Sequence, residues 1–313
     1  MIGRAGEGRR IGWLQPGRLA AVLLLALSVL APSCGFKALA AETVVDALGR
    51  TVVPGAATRI VTLGSDVTEI VHALGAGERI VGVDRGSKYP PSVTGKPNVG
   101  YRRQLSVEGL ASLRPDLILA AEDSGPPEAV EVLKSLAIPI VFVPQDNTPQ
   151  GIERKITLVA ASLGLEDKGK VVCAEVLTAF QAAADLASKI PPERRKKVVF
   201  FHGLVKLSAA GAGTSADAII RYAGGLNPMD VVQGYKPASE EKLVEMAPDV
   251  ILMMSDGKGG PTAEQVFGNR ALAATPAAAN KALVVLDGAY MIGFGPRTSD
   301  AIRDLAKALY PKG

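Results

Sequence analysis

The chain has 313 residues, too many for one small domain and about right for two. Hydrophobic residues make up 48% and charged residues 21%, a globular balance that excludes a disordered chain, and with aromatics at 4% the core must be built from Ala, Val, Leu and Ile. The formal charge of +4 invites a nucleic-acid or membrane-surface partner, but only until the charges are placed along the chain.

Residues 1–18 carry Arg4, Arg9, Arg10 and Arg18 against a single acid, Glu7. Residues 19–30 follow as twelve residues in which only Ser28 is polar. That run falls short of the roughly 20 apolar residues a bilayer span needs. A basic start ahead of a short apolar run is the pattern of a secretory signal peptide, and Ala38-Leu39-Ala40 supplies small-x-small cleavage chemistry. The reading is a signal peptide over 1–40 and a mature chain in the periplasm. Leu30-Ala31-Pro32-Ser33-Cys34 resembles a degenerate lipoprotein box, so lipid anchoring at Cys34 stays open as the alternative. Taking the five basic residues and one acid of 1–40 from the 35 and 31 of the whole chain leaves 30 of each. The basic excess therefore belongs to the export signal, and no nucleic-acid partner is expected. Cys173, in a helical apolar pattern, reads as a buried inert thiol.

Beyond 40, short apolar runs alternate with helical patterns. Residues 59–63, 79–83, 116–120 and 138–143 read as strands. Residues 66–74 read as a helix capped by Ser65 or Asp66, and 107–113 and 128–136 as two more. Strands that are apolar on both faces argue a parallel sheet covered on both sides. Residues 151–163 and 167–189 are helical, broken only at Gly164 and ended by Pro191-Pro192, and form a stiff connector. A second set follows: strands at 197–201, 249–253 and 282–286, and helices at 214–223, 239–246 and 299–309. The fold class is α/β: two Rossmann-like lobes with parallel-type sheets, joined by a long rigid connecting helix, with a ligand cleft between them. The boundaries are 41–150 for the N-terminal lobe, 151–192 for the connector and 193–313 for the C-terminal lobe.

The lobes repeat. Residues 105–120 align with 238–253 at seven of sixteen positions, among them Ser106/Ser239, Glu108/Glu241, Pro115/Pro248 and Asp116/Asp249. Helix capping and a helix-to-strand turn explain part of this. Gly100-Tyr101 and Gly234-Tyr235, just upstream and one residue out of step, lie outside the helix and lack that explanation. Ligands of α/β lobes bind beyond the carboxyl ends of the strands, so an exported two-lobed chain reads as a binding protein rather than an enzyme.

Few residues could carry chemistry. His72 lies mid-helix among apolar neighbours and reads as structural. His202 follows the strand at 197–201 directly, where ligands sit. Gly211-Ala-Gly213-Thr-Ser-Ala216 matches the dinucleotide fingerprint literally, with Asp230 downstream, but the strand it should follow ends near Phe201. A nucleotide-dependent enzyme using the Gly211 loop is the rival from another class. Tyr101 is followed by Arg102 and Arg103. A phenolate is a hard anionic donor suited to Fe(III) and a known haem axial ligand. A neighbouring guanidinium favours the charged phenolate, and Arg pairs bidentately with a carboxylate such as a haem propionate.

On Thr58–Leu63, Thr68–Ile70, Ala73–Gly75, Gly100-Tyr-Arg-Arg103, Arg114–Asp116, Gly211–Ala218, Gly234-Tyr-Lys-Pro237 and Gly293-Phe-Gly-Pro-Arg297, the chain resembles the periplasmic haem-binding proteins of bacterial haem ABC importers. The wider class carries cobalamin and ferric siderophores. The resemblance spans nearly all of 44–311 and implies haem as the transported ligand and iron uptake as the role. It further implies Tyr101 as iron ligand, with His202 the candidate second ligand. Arg103, Arg102, Tyr235 and Lys258 become propionate or cleft contacts. Glu108 and Glu241 match the paired carboxylates that dock on an ABC permease dimer in the inner membrane. Relatives often carry an Arg in the loop after the second Pro-Asp strand; here Asp256 takes that position and Lys258 is the candidate replacement. The expected assembly is a monomer. The same fold carrying a ferric siderophore or cobalamin is the closest rival.

Overall fold

A computed structural model describes residues 42–257 and 259–311. The expected signal segment 1–40, Cys34 included, and Lys258 lie outside the described residues.

A hairpin of β1 (Val44–Val45) and β2 (Thr51–Val52) opens the described chain, followed by β3 (Ile60–Leu63), α1 (Ser65–Ala73) and β4 (Ile80–Val83). A second small hairpin, β5 (Gly100–Tyr101) and β6 (Gln104–Leu105), precedes α2 (Val107–Ser112). Then come β7 (Leu117–Ala121), α3 (Pro127–Ser135) and β8 (Ile140–Val143). The first lobe's sheet runs β4-β3-β7-β8, and all its pairings are parallel. Every residue of β3, β7 and β8 is buried, as a sheet covered on both faces requires.

The connector is α4 (Pro149–Ser162) and α5 (Glu166–Ser188), with the turn at Gly164 in the left-handed region at φ +64°. A Cβ on Gly169 would lie 2.5 Å from the Ala160 methyl, so glycine lets the two helices meet closely.

The second lobe holds β9 (Val198–Phe201), β10 (Ser208–Ala210), α6 (Ser215–Tyr222), β11 (Tyr235–Pro237), α7 (Glu240–Met246) and β12 (Val250–Ser255). Three short helices follow: α8 (Ala263–Phe267), α9 (Arg270–Ala273) and α10 (Pro276–Ala279). It closes with β13 (Leu283–Asp287), α11 (Gly288–Ile292) and α12 (Thr298–Leu309). Its sheet runs β11-β10-β9-β12-β13. Only β9, β12 and β13 pair in parallel; β10 and β11 add antiparallel. The parallel-type expectation is corrected here for a simple reason. Residues 202–207 join β9 to β10, and so short a link cannot make the crossover that parallel pairing needs.

One hydrophobic cluster runs through both lobes and the connector, with Ile60 and Val67, Ile156 and Phe180, and Phe200 and Ile302 among its buried members. Two ion pairs, one buried and one part-buried, join distant elements. Lys155 on α4 donates to Asp66 on α1 at 2.6 Å and to the carbonyls of Phe294 and Gly293, just beyond α11, at 3.1 and 3.3 Å. Arg297 makes a two-pronged bond to Glu69 at 3.0 and 2.6 Å, with its guanidinium 3.7 Å over the Tyr89 ring. The expected Ser65 or Asp66 cap of α1 is therefore corrected. Gly64 occupies the N-cap with no side-chain cap bond, and the Asp66 carboxylate is engaged by Lys155 inside the first turn.

The internal repeat has structural content at most of its positions. Ser106 and Ser239 cap α2 and α7, accepting from Gly109 and Lys242. Leu110 and Leu243 are fully buried. Arg114 and Ala247 end these helices at φ +48° and +44°. Asp116 accepts from the Thr58 and Arg59 amides and Asp249 from the Lys197 amide, each tying neighbouring strand starts together. Glu108 and Glu241 do none of this: both are exposed, and neither forms an ion pair among the described residues.

Candidate functional site

Tyr101 ends β5, and Arg102-Arg103 form the two-residue turn to β6. Gly100 takes φ +94°, which glycine tolerates, and its carbonyl accepts from the Arg85 amide at 2.7 Å. The loop after β7 braces the other side: the Gly125 amide donates to the Arg102 carbonyl and the Leu105 amide to the Gly125 carbonyl, both at 2.9 Å. The hairpin thus sits beyond the carboxyl ends of β4 and β7, where an α/β lobe places its ligands.

Arg103 Nη1 donates to the Tyr101 hydroxyl oxygen at 2.6 Å. The sequence shows this neighbourhood but not what holds the arginine. Asp123, in the loop after β7, accepts from Arg102 at 2.8 and 3.0 Å and from Arg103 Nε at 2.9 Å, with a further short contact to Arg103 Nη2. Partial burial pushes the Asp123 carboxyl up, but the hydrogen bond and charge of Arg102, with Arg103, outweigh it and hold the carboxyl below its ordinary range. A third guanidinium, that of Arg85, stacks 5.2 Å from the Tyr101 ring centre. Sequence reasoning missed both Asp123 and Arg85. The only available signal was their place just beyond the ends of β7 and β4.

In the second lobe, His202 follows β9 and Tyr235 starts β11, two strands away in the sheet. Their rings are 4.6 Å apart, and the buried Phe200 lies edge-on to His202 at 5.2 Å. Burial, then the positive charge of Arg103, lowers the His202 pKa; burial raises that of Tyr235, with Arg103 opposing. Arg103 is thus near enough to act on both rings, which puts the Tyr101 hairpin close to the His202–Tyr235 pair. The structure brings Tyr101, Arg102, Arg103, His202 and Tyr235 into one neighbourhood. Glu108 and Glu241 lie apart on α2 and α7, and Lys258 is outside the described residues. Asp256 is exposed in the loop after β12, at the repeat position of Asp123.

The Gly211 loop is accounted for without a nucleotide. The strand expected to end near Phe201 does end there, and a further strand, β10, precedes the loop; β10 is antiparallel and makes no βαβ unit. The amides of Gly211 and Ala212 donate to the carbonyls of Gly234 and Val232. A Cβ on Gly211 would lie 2.2 Å from the Val232 oxygen. Glycine is required by that close approach, and the loop's donors face protein rather than phosphate. Two surface grooves of about 460 and 570 Å³ flank α4, one lined by Thr157, Gly169 and Cys173, the other by Val44, Arg154 and Leu158. Neither includes Tyr101, His202 or Tyr235. Both lie beside the connector, away from the Tyr101 hairpin.

Comparisons with known proteins bear on the family and the fold. A family model described as a periplasmic binding protein matches residues 60–290. The solved structure of the "Periplasmic heme-binding protein RhuT" from Roseiflexus sp. RS-1, in apo form, is similar at 37% identity and TM-score 0.76, over 81% of this chain and 98% of that one. An "Uncharacterized ABC transporter substrate-binding lipoprotein YvrC" of Bacillus subtilis is 25% identical over 81% of this chain and 80% of its own length. A "Vitamin B12-binding protein" of Vibrio campbellii is 26% identical over 65% of this chain and 74% of its own.

Proposed function

The chain belongs to the periplasmic binding protein family, and from that premise we propose that it captures ferric haem in the cleft between its lobes and delivers it to an ABC permease of the inner membrane. The observation that carries the haem reading is the 2.6 Å hydrogen bond from Arg103 to the Tyr101 oxygen, in a hairpin that faces His202 and Tyr235. That bond fixes the position of the Tyr101 oxygen at the turn, and a tyrosine oxygen is a hard donor of the kind ferric haem iron takes. Tyr101 would hold the iron, with His202 the candidate for a second ligand. Burial and Arg103 keep the His202 imidazole neutral, the form that binds metal. Tyr235 would lie against the porphyrin. The mature chain catalyses no reaction; its relatives are substrate-binding proteins.

Glu108 and Glu241 suit delivery. They are exposed acids without an ion pair among the described residues, at equivalent places on two lobes, and present matched charges to a permease of two equivalent subunits. Residues 1–40 would direct export to the periplasm, with lipid attachment at Cys34 the alternative. The working partition is a lobe over 41–150, a connector over 151–192 and a lobe over 193–313, acting as a monomer.

Titration of the purified protein with haemin, cyanocobalamin and a ferric siderophore tests the reading. Haemin should give a saturable Soret change at one end point, and the other two no saturable signal. Tight cobalamin binding without a haemin response would transfer the ligand assignment to the corrinoid that the Vibrio relative is named for.

A further inference from the structure

Two guanidinia lie over the Tyr101 ring, Arg85 at 5.2 Å and Arg103 at 5.9 Å, and they are not equivalent. Arg102 and Arg103 both bond to Asp123, and Arg103 gives a further nitrogen to the Tyr101 hydroxyl. One carboxylate thus partly neutralises two arginines and occupies most of the donors through which they could grip a ligand. Arg85 differs. It lies two residues beyond β4 and is exposed, and its backbone is fixed by the bond from its amide to the Gly100 carbonyl. Its guanidinium makes no hydrogen bond or ion pair among the described residues, and it lies over the Tyr101 ring. The adjacent carboxylate, Asp84, is buried and already accepts from Gly64, Gly86 and Ser87.

A stacked guanidinium loses little freedom on binding, because the ring holds its plane while leaving the edge donors open. An arginine so held beside the ligand atom, with no counter-ion, fits an anion that arrives with the ligand, and its fork matches a carboxylate bidentately. We propose that Arg85, rather than Arg102 or Arg103, is the specificity-determining partner of a carboxylate on the bound macrocycle, selecting acidic porphyrins over neutral ones. Asp123 holds Arg103 on the phenol, and Arg85 reads the ligand's acid. This assignment rests on the haem reading of the same site.

The test pairs two ligands with three proteins. Haemin and its dimethyl ester, which lacks the free carboxylates, are titrated by Soret absorbance into wild type, Arg85→Gln and Arg85→Lys, each checked for unchanged circular dichroism and melting. Wild type should favour haemin over the ester by about tenfold, the scale of one charge-assisted pair. Arg85→Gln should lose about that tenfold for haemin and shift the ester by less than about twofold, with Arg85→Lys recovering part of the loss. Equal weakening of both ligands by Arg85→Gln would reduce Arg85 to a stacking role and overturn the assignment. So would unchanged binding of both. Failure of wild type to bind either porphyrin would instead remove the haem reading, and this inference with it.

Discussion

Replacing Lys155 by Met removes the ammonium that joins three separate parts of the chain. Its Nζ lies 2.6 Å from Asp66 on α1 and 3.1 Å from the carbonyl of Phe294, with side-chain exposures of 1% for Lys155 and 5% for Asp66. Met fills nearly the same volume, so the loss is electrostatic rather than a cavity. What stays behind is a buried carboxylate whose remaining side-chain donor is the Gln145 amide at 3.1 Å. Removing one partner of a buried pair costs about 3–5 kcal/mol, because the other charge is left uncompensated. For a chain of this size that is a fall in melting temperature of roughly 6–20 °C. Urea denaturation of wild type, Lys155→Met, Asp66→Asn and the double variant measures it. The double variant should be more stable than the sum of the single losses predicts, by about 1–3 kcal/mol, since Asp66→Asn removes the stranded charge. Additive losses, or a Lys155→Met penalty below about 1 kcal/mol, would show that the buried pair does not join the lobes energetically.

Asp123→Asn should cost roughly 1 kcal/mol, because the site is part-exposed and its arginines stay solvated. Asp123 has a folded pKa below its ordinary 3.8, so the stabilisation is fully present above about pH 4 and lost as pH falls through the lower folded value. Wild type and variant should therefore differ by a constant amount above pH 4 and converge below it in urea melts. For His202 the sign is the same but the cause is burial: its folded pKa is below 6.5, so the unfolded chain takes the proton first and stability declines as pH drops below 6.5. If the imidazole binds iron, haem affinity should hold through pH 6.5 and fall only at the lower pH where the folded imidazole takes a proton. His202→Gln should lose this acid limb in Soret titrations, and an unchanged limb would remove His202 as a ligand. Cys173 is largely buried at the floor of a groove and its thiol pKa is pushed up by burial, so in a chain starting at Ala41 a disulfide reagent should label it far more slowly before unfolding than after.

Much of this architecture was legible because its physics is local. The strands are short apolar runs buried on both faces, and the repeat survives where Ser106, Asp116 and their counterparts perform the same capping and strand-tying tasks in each lobe. That Arg103 neighbours Tyr101 was legible for the same reason, since only Arg102 separates them; its bond to the hydroxyl, rather than the expected propionate role, was not. What escaped depends on contacts across the fold. Asp123 meets Arg103 over 20 residues, and Glu69 meets Arg297 over 228, with no spacing rule to announce either. Arg85 matters only because the end of β4 abuts the hairpin. Strand β10 is Ser208-Ala-Ala210, small residues without alternation, so its antiparallel pairing had no pattern to betray it. The helices α8 to α10 carry clear caps at Thr262, Asn269 and Thr275, but at four or five residues they are too short to show a helical period.

The central claim is that a phenolate at Tyr101 binds ferric haem. Absorption spectra of wild type and Tyr101→Phe, each titrated with haemin, address it directly. Wild type should show a saturable Soret band with the charge-transfer features of phenolate-bound ferric iron, and the Phe variant should lose those features and bind at least about tenfold more weakly. Identical spectra and affinities in the two proteins would contradict the claim.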